Sequence, residues 1–135
     1  MIGIVIVTHC NLAQELVRSA EFIVGRLKQT SAVSLNPGDQ DESLRKRVAE
    51  AIEKVETGDG VILLTDMFGG TPSNISLSFL AEGKVEVVTG INLPMLIGLF
   101  SKREGKSLNQ VAREIKEYGL RSIALAGEIL KKEVK

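Results

Sequence analysis

The chain has 135 residues and a mass of 14.6 kDa, room for one domain (1–135) with a sizeable core and none for a second independent one. Seventeen Lys and Arg balance seventeen Asp and Glu, and 44% of the residues are hydrophobic; this describes a folded globule and argues against a dedicated nucleic-acid binder, which should be basic. A single cysteine forms no internal disulfide, and the apolar run Met1 to Val7 lacks signal-peptide flanks and is too short to cross a bilayer, so a reducing cytoplasm is expected.

Met1 to Val7 is β-branched and apolar nearly throughout, the pattern of a strand buried on both faces. Asn11 is a candidate N-cap with Gln14 three residues on, and Leu12, Leu16, Ala20, Ile23, Val24 and Leu27 recur at helical spacing. Ser31 to Leu35 reads as a second strand ended by Asn36-Pro37-Gly38. Leu44, Val48, Ala51, Ile52 and Val55 mark a helix starting after Asp39 or Asp41. Val61 to Leu64 is a third strand, and Pro72 stands where the next helix begins. Val85 to Thr89 reads as a fourth strand, and Leu93 to Phe100 as a short helix. Ser107 with Gln110 reads as a capping box for a helix carrying Leu108, Val111, Ile115 and Tyr118 and stopped by Gly119. Residues 123–126 fit a strand or a helix. Alternating strands and helices predict an α/β fold, a doubly wound parallel sheet of order 2-1-3-4 with ligands at the carboxyl ends of strands one and three.

Those two ends carry Thr8-His9-Cys10 and Thr65-Asp66-Met67-Phe68-Gly69-Gly70-Thr71-Pro72. A carboxylate beside an imidazole fixes its tautomer and leaves the second ring nitrogen with a lone pair, which makes His9 a candidate nucleophile and Asp66 its orienting partner. The glycine turn and the helix start behind it supply backbone N–H groups for an anion, with a phosphoryl group the natural guest. Each residue also has an ordinary reading: His9 as a loop residue, Asp66 as a turn cap, Gly69 and Gly70 as shapers of the turn. It is their convergence at one place that points to chemistry. Cys10 reads as a small packed side chain, with a reactive thiol as the alternative. Met67, Phe68, Leu93, Pro94, Met95 and Leu96 read as core, with a partner-docking patch as the alternative.

The strand ending in Thr8-His9, the segment Thr65 to Asn74, and Thr89-Gly90-Ile91-Asn92-Leu93-Pro94-Met95-Leu96 together resemble the mannose-family enzyme IIA domain of the bacterial phosphoenolpyruvate-dependent sugar phosphotransferase system. The resemblance spans essentially the whole chain. It implies a phosphocarrier in which His9 is phosphorylated, Asp66 hydrogen-bonds it, and Phe68, Gly69, Gly70 and Thr71 hold the phosphoryl group, with no cofactor and no metal. It also implies phospho-HPr as donor, an enzyme IIB as acceptor, contact with the membrane only through the permease complex, and a homodimer exchanging a C-terminal edge strand, which would explain the ambiguous reading of 121–127. Some relatives continue into a fused IIB domain whereas this sequence ends at Lys135, so the IIB partner is expected on a separate polypeptide. Relatives often carry glycine where Cys10 stands. A regulatory IIA-type protein is the alternative function.

Rivals from other classes fit less well. A receiver domain phosphorylated on Asp66 needs acidic residues after strand one to hold magnesium, and Thr8-His9-Cys10 supplies none. A nucleotide-binding module needs a GxGxxG or GxxxxGK[ST] motif, and neither follows any strand. A histidine phosphatase is disfavoured by the single histidine and by the lack of an arginine beside it.

Overall fold

Six consecutive buried residues, Gly3 to Thr8, make β1 (Gly3–His9) a central strand, covered on both faces. The remaining elements follow as α1 (Leu12–Val24), β2 (Thr30–Leu35), α2 (Asp41–Val55), β3 (Val61–Thr65), α3 (Thr71–Leu77), β4 (Val85–Thr89), α4 (Leu93–Lys102), α5 (Leu108–Arg121) and α6 (Ala126–Val134). This computed structural model describes residues 1–134. The strands form one parallel sheet in the order β2-β1-β3-β4, as the alternation of elements predicts. Among the described residues, no helix is long and apolar enough to cross a membrane.

The two-residue period of the strands sorts their side chains into two layers. Ile4, Ile6, Ile62 and Leu64 pack with Ala13 and Ala20 of α1, Leu96 and Leu99 of α4, and Val111 and Ile115 of α5. Val5, Val7, Val61 and Leu63 pack with Leu44 and Val48 of α2 and Ile75 of α3. Burying each such aliphatic side chain contributes roughly 1.5–3 kcal/mol, so β1 and β3 anchor the fold and fix the register Val7 opposite Thr65. Gly3 permits the close approach of α2, because a Cβ there would meet the Val55 side chain and carbonyl oxygen at 2.6 Å.

Several boundaries differ from those read in the sequence. β1 runs on to His9, which still pairs with Leu35. α1 ends at Val24 rather than Leu27: Gly25 turns the chain at φ 92°, and the Glu21 carboxylate accepts the Leu27 N–H at 2.9 Å. Asn11 stands at the N-cap, yet its side chain caps nothing, and the Gln14 side chain accepts from the Ser34 hydroxyl instead. The donor it was expected to meet is served from β1: the Thr8 hydroxyl oxygen accepts the Ala13 N–H at 2.8 Å. Ser107 accepts from the Gln110 N–H at 3.2 Å, but the Gln110 side chain donates to Glu114, so only half of the capping box forms.

Gly119 does not stop α5. It lies within the helix, and a Cβ there would stand 2.8 Å from the Met95 side chain, so the glycine is a packing notch for α4. Residues 123–125 have no regular structure and Ala126–Val134 is helical, so no fifth strand forms within the single chain among the described residues. The two sheet edges differ in kind. Arg47 donates to the Ser34 carbonyl at 2.6 Å on the β2 side, whereas a groove of about 750 Å³ runs beside β4, lined by Glu86, Val88, Ala112, Arg113 and Lys116 among others.

Candidate functional site

Because β1 and β3 are neighbours, their carboxyl ends deliver His9 and Asp66 to one place, the point where the winding of the sheet reverses. The two side chains meet, with His9 Nδ1 2.8 Å from Asp66 Oδ2. The same oxygen accepts the His9 backbone N–H at 3.0 Å, and Oδ1 accepts the Met67 N–H at 3.0 Å. One carboxylate therefore fixes the histidine by its main chain and by its ring. Its side chain is only 12% exposed, against 45% for His9, so the anchor is sheltered while the ring faces solvent.

Burial by itself raises the Asp66 carboxyl, but the backbone and ring hydrogen bonds from His9, with its charge, outweigh that and hold it below the ordinary carboxylate value. An ionised carboxylate has no proton to give, so Nδ1 is the donor in this pair. In the neutral ring, Nε2 then carries the lone pair. Nε2 lies against Gly70, where a Cβ would stand 3.0 Å from His9 Cε1 and 3.4 Å from Nε2. Only a glycine leaves that approach open.

The loop past Asp66 presents donors. The backbone N–H groups of Phe68, Gly69, Gly70 and Thr71 make no backbone hydrogen bond among the described residues. Gly69 turns the loop at φ 95°, and Gly70, extended at φ −88°, precedes α3 with Pro72 in its first turn. Unpaired N–H groups of a loop that leads into a helix start are donors able to hold an anionic group. The carbonyl of Thr65 accepts from both Gly90 and Ile91 at 3.0 Å, which ties the segment 89–96 to the residue before Asp66. Among the described residues, no group of three or more His, Cys, Asp or Glu could hold a metal ion.

All six residues singled out in the sequence, His9, Asp66, Phe68, Gly69, Gly70 and Thr71, thus belong to one locality or its adjoining loop. The apolar residues around it divide. Met95 and Leu96 are core, while Met67 is 56% and Phe68 72% exposed at the rim, so for these two the core reading is corrected: they lie ahead of α3 with no layer above them. Cys10 is likewise not packed. It is an exposed free thiol held at φ 50°, a left-handed conformation that glycine adopts at no steric cost. Thr8 escaped the sequence reading, although a hydroxyl residue shortly before a helix start was the available signal.

The family described as PTS system fructose IIA component, of the EIIA-man class, matches residues 3–116, a span that holds every residue of the site. The chain is similar to the fructose-specific EIIA component of the phosphotransferase system of Bacillus subtilis, with 30% identity over 133 residues covering 98% of this chain and 91% of that protein. It is also similar to the mannose-specific EIIAB component of Escherichia coli, with 32% identity over 104 residues, 76% of this chain; the match spans only 32% of that longer protein. Among solved structures it resembles the IIA protein associated with the fucose utilization operon of Streptococcus pneumoniae, with a TM-score of 0.84, 30% identity and 95% coverage of each chain.

Proposed function

The chain belongs to the mannose-family enzyme IIA components, phosphocarriers of the sugar phosphotransferase system, and from that premise we propose that it accepts a phosphoryl group from phospho-HPr on His9 Nε2 and passes it to an enzyme IIB. The observation that carries this reading is the 2.8 Å contact of His9 Nδ1 with Asp66, which leaves Nε2 free beside Gly70.

In the first transfer, the Nε2 lone pair forms the new N–P bond as the N–P bond of the donor phosphohistidine breaks in line with it, and the donor ring leaves with the electron pair. His9 keeps its Nδ1 proton, so its ring becomes cationic, and Asp66 offsets that charge. The N–H groups of Phe68 to Thr71 and the Thr71 hydroxyl receive the phosphoryl oxygens. The second transfer runs the same steps in reverse toward the IIB histidine. A regulatory role would use the same phosphorylated His9, and transfer to an enzyme IIB separates it from uptake.

The β4 edge and its groove support a homodimer in which residues 121–127 of one copy add to β4 of the other, where exposed Ile123 and Leu125 would find cover. Sedimentation of the full chain tests this: a dimer is expected, and a monomer at micromolar concentration overturns it. The phosphocarrier reading is tested by intact-mass analysis after adding phosphoenolpyruvate, enzyme I and HPr. One acid-labile phosphoryl group that disappears in His9→Ala is expected. No uptake from an active donor, or a group that persists in His9→Ala, overturns it.

A further inference from the structure

We propose that Thr8 is a positioning residue for phosphoryl transfer, acting through the β1–α1 turn that carries His9; the inference rests on the reading of His9 as the acceptor. Thr8 is fully buried, and its hydroxyl oxygen accepts the N–H of Ala13, itself fully buried, at 2.8 Å. Among the described residues no other side chain caps this end of α1: Asn11 makes no cap bond and Gln14 is engaged with Ser34. The hydroxyl therefore closes the loop that begins with His9 and fixes the first turn of α1 to the end of β1.

The segment it closes is under conformational load. Cys10 sits at φ 50°, a conformation disfavoured for any residue with a Cβ, and the Cys10 N–H is tied to the Leu35 carbonyl at 2.7 Å. Without the Thr8 oxygen, the Ala13 N–H is buried with no partner, and the turn must open to hydrate it. Opening lets Cys10 relax out of the left-handed region, and the main chain of His9 moves with it. The ring is tied to Asp66 at 2.8 Å and lies against the Cβ-free side of Gly70, so a shift of its main chain alters both the bond that sets its tautomer and the face Nε2 presents. Thr8 thus holds His9 from the helix side as Asp66 holds it from β3.

The test compares Thr8→Val, which keeps the shape and removes the acceptor, with Thr8→Ser, which keeps the acceptor. With phosphoenolpyruvate, enzyme I and saturating HPr, Thr8→Val is expected to phosphorylate roughly tenfold or more slowly, and Thr8→Ser at close to the wild-type rate. In nitrogen-15 spectra of the His9 ring, the Nδ1–H form should dominate in the wild type and in Thr8→Ser and mix with the other tautomer in Thr8→Val. A folded Thr8→Val with the wild-type rate and wild-type ring shifts overturns the proposal. If Thr8→Val does not fold, amide exchange in the wild type decides: strong protection of the Ala13 N–H is expected, and exchange at the rate of an open loop overturns it. Failure of the wild type to take up phosphate would remove the phosphocarrier reading alone, since the ring spectra still report whether Thr8 positions His9.

Discussion

Replacing Gly70 by alanine separates the chemistry of the site from its stability. The backbone there is extended at φ −88°, so alanine is admitted without strain in the main chain. Its methyl group would stand 3.0 Å from His9 Cε1 and 3.4 Å from Nε2, where carbon contacts normally lie at about 3.5–4.0 Å. The ring must retreat by roughly half an ångström, and its retreat disturbs the 2.8 Å bond to Asp66 while the methyl occupies the approach to Nε2. Misplacement by about 1 Å costs on the order of a hundredfold in rate, and obstruction of the reacting nitrogen adds to that, so phosphorylation by phospho-HPr should fall by roughly a hundredfold or more. Stability should fall by no more than about 1 kcal/mol, because the ring is 45% exposed and can yield toward solvent. Gly69→Ala should behave in the opposite way. A Cβ there would meet no atom within 4 Å, but φ is 95°, so the fold should lose about 1–2 kcal/mol while the approach to Nε2 stays open. Single-turnover phosphorylation and thermal melting of both variants are the assay. A Gly70→Ala protein that is phosphorylated at the wild-type rate would show that Nε2 is not approached across Gly70.

Asp66→Asn should slow transfer by roughly ten- to a hundredfold while the fold persists, because an amide cannot accept on both sides as the carboxylate does from His9 and from Met67; an unchanged transfer rate contradicts this role. The Asp66 carboxyl titrates below its unfolded value, so its contribution to stability is complete above about pH 4 and is lost as the pH falls through the lower, folded value. Denaturant melts from pH 6 to pH 2 should therefore show a shallower acid decline in Asp66→Asn than in the wild type, and parallel declines would refute the linkage. Cys10→Gly should raise stability by up to about 1 kcal/mol, the relief of a Cβ at φ 50° less the greater freedom of glycine in the unfolded chain. A lower urea midpoint for Cys10→Gly would show that the left-handed turn is not strained.

The sheet was legible because its central strands are almost wholly apolar and its elements alternate, which leaves few ways to wind the chain. The meeting of His9 with Asp66 followed from strand order alone, since neighbouring parallel strands bring their carboxyl ends together. What stayed hidden depended on partners distant in sequence or lying outside one chain. Gly119 has the appearance of a helix stop, and only the approach of Met95 shows it to be a notch. Met67 and Met95 are one residue type in similar turn-to-helix settings, yet one precedes α3 in open solvent and the other lies under α5. Thr8 reads as strand, and its capping bond exists only because α1 folds back over β1. Residues 123–125 gave no clear period, and within the single chain they take no regular structure.

The charge distribution around the site bears on why a carrier is built this way. The stretches 1–17, 55–83 and 85–101, which hold His9, the glycine loop and the segment tied to Thr65, contain no lysine and no arginine. On the proposed reading, a phosphoryl group on Nε2 is held by neutral N–H donors, each worth about 1.5–3 kcal/mol to a charged acceptor, with no fixed cation from these segments. A carrier must release what it accepts, and a deep electrostatic well would make the second transfer slow. Asp66 acts on the other half of the problem. On that reading it stabilises the positive charge that the ring acquires on accepting the group, and it favours the loaded state only by the amount this exceeds the bond it already makes with the neutral ring. On the proposed reading, an anion behind the ring and neutral donors before it hold the loaded state less deeply than fixed cations on the phosphoryl oxygens would, and a shallower well leaves the second transfer a lower barrier.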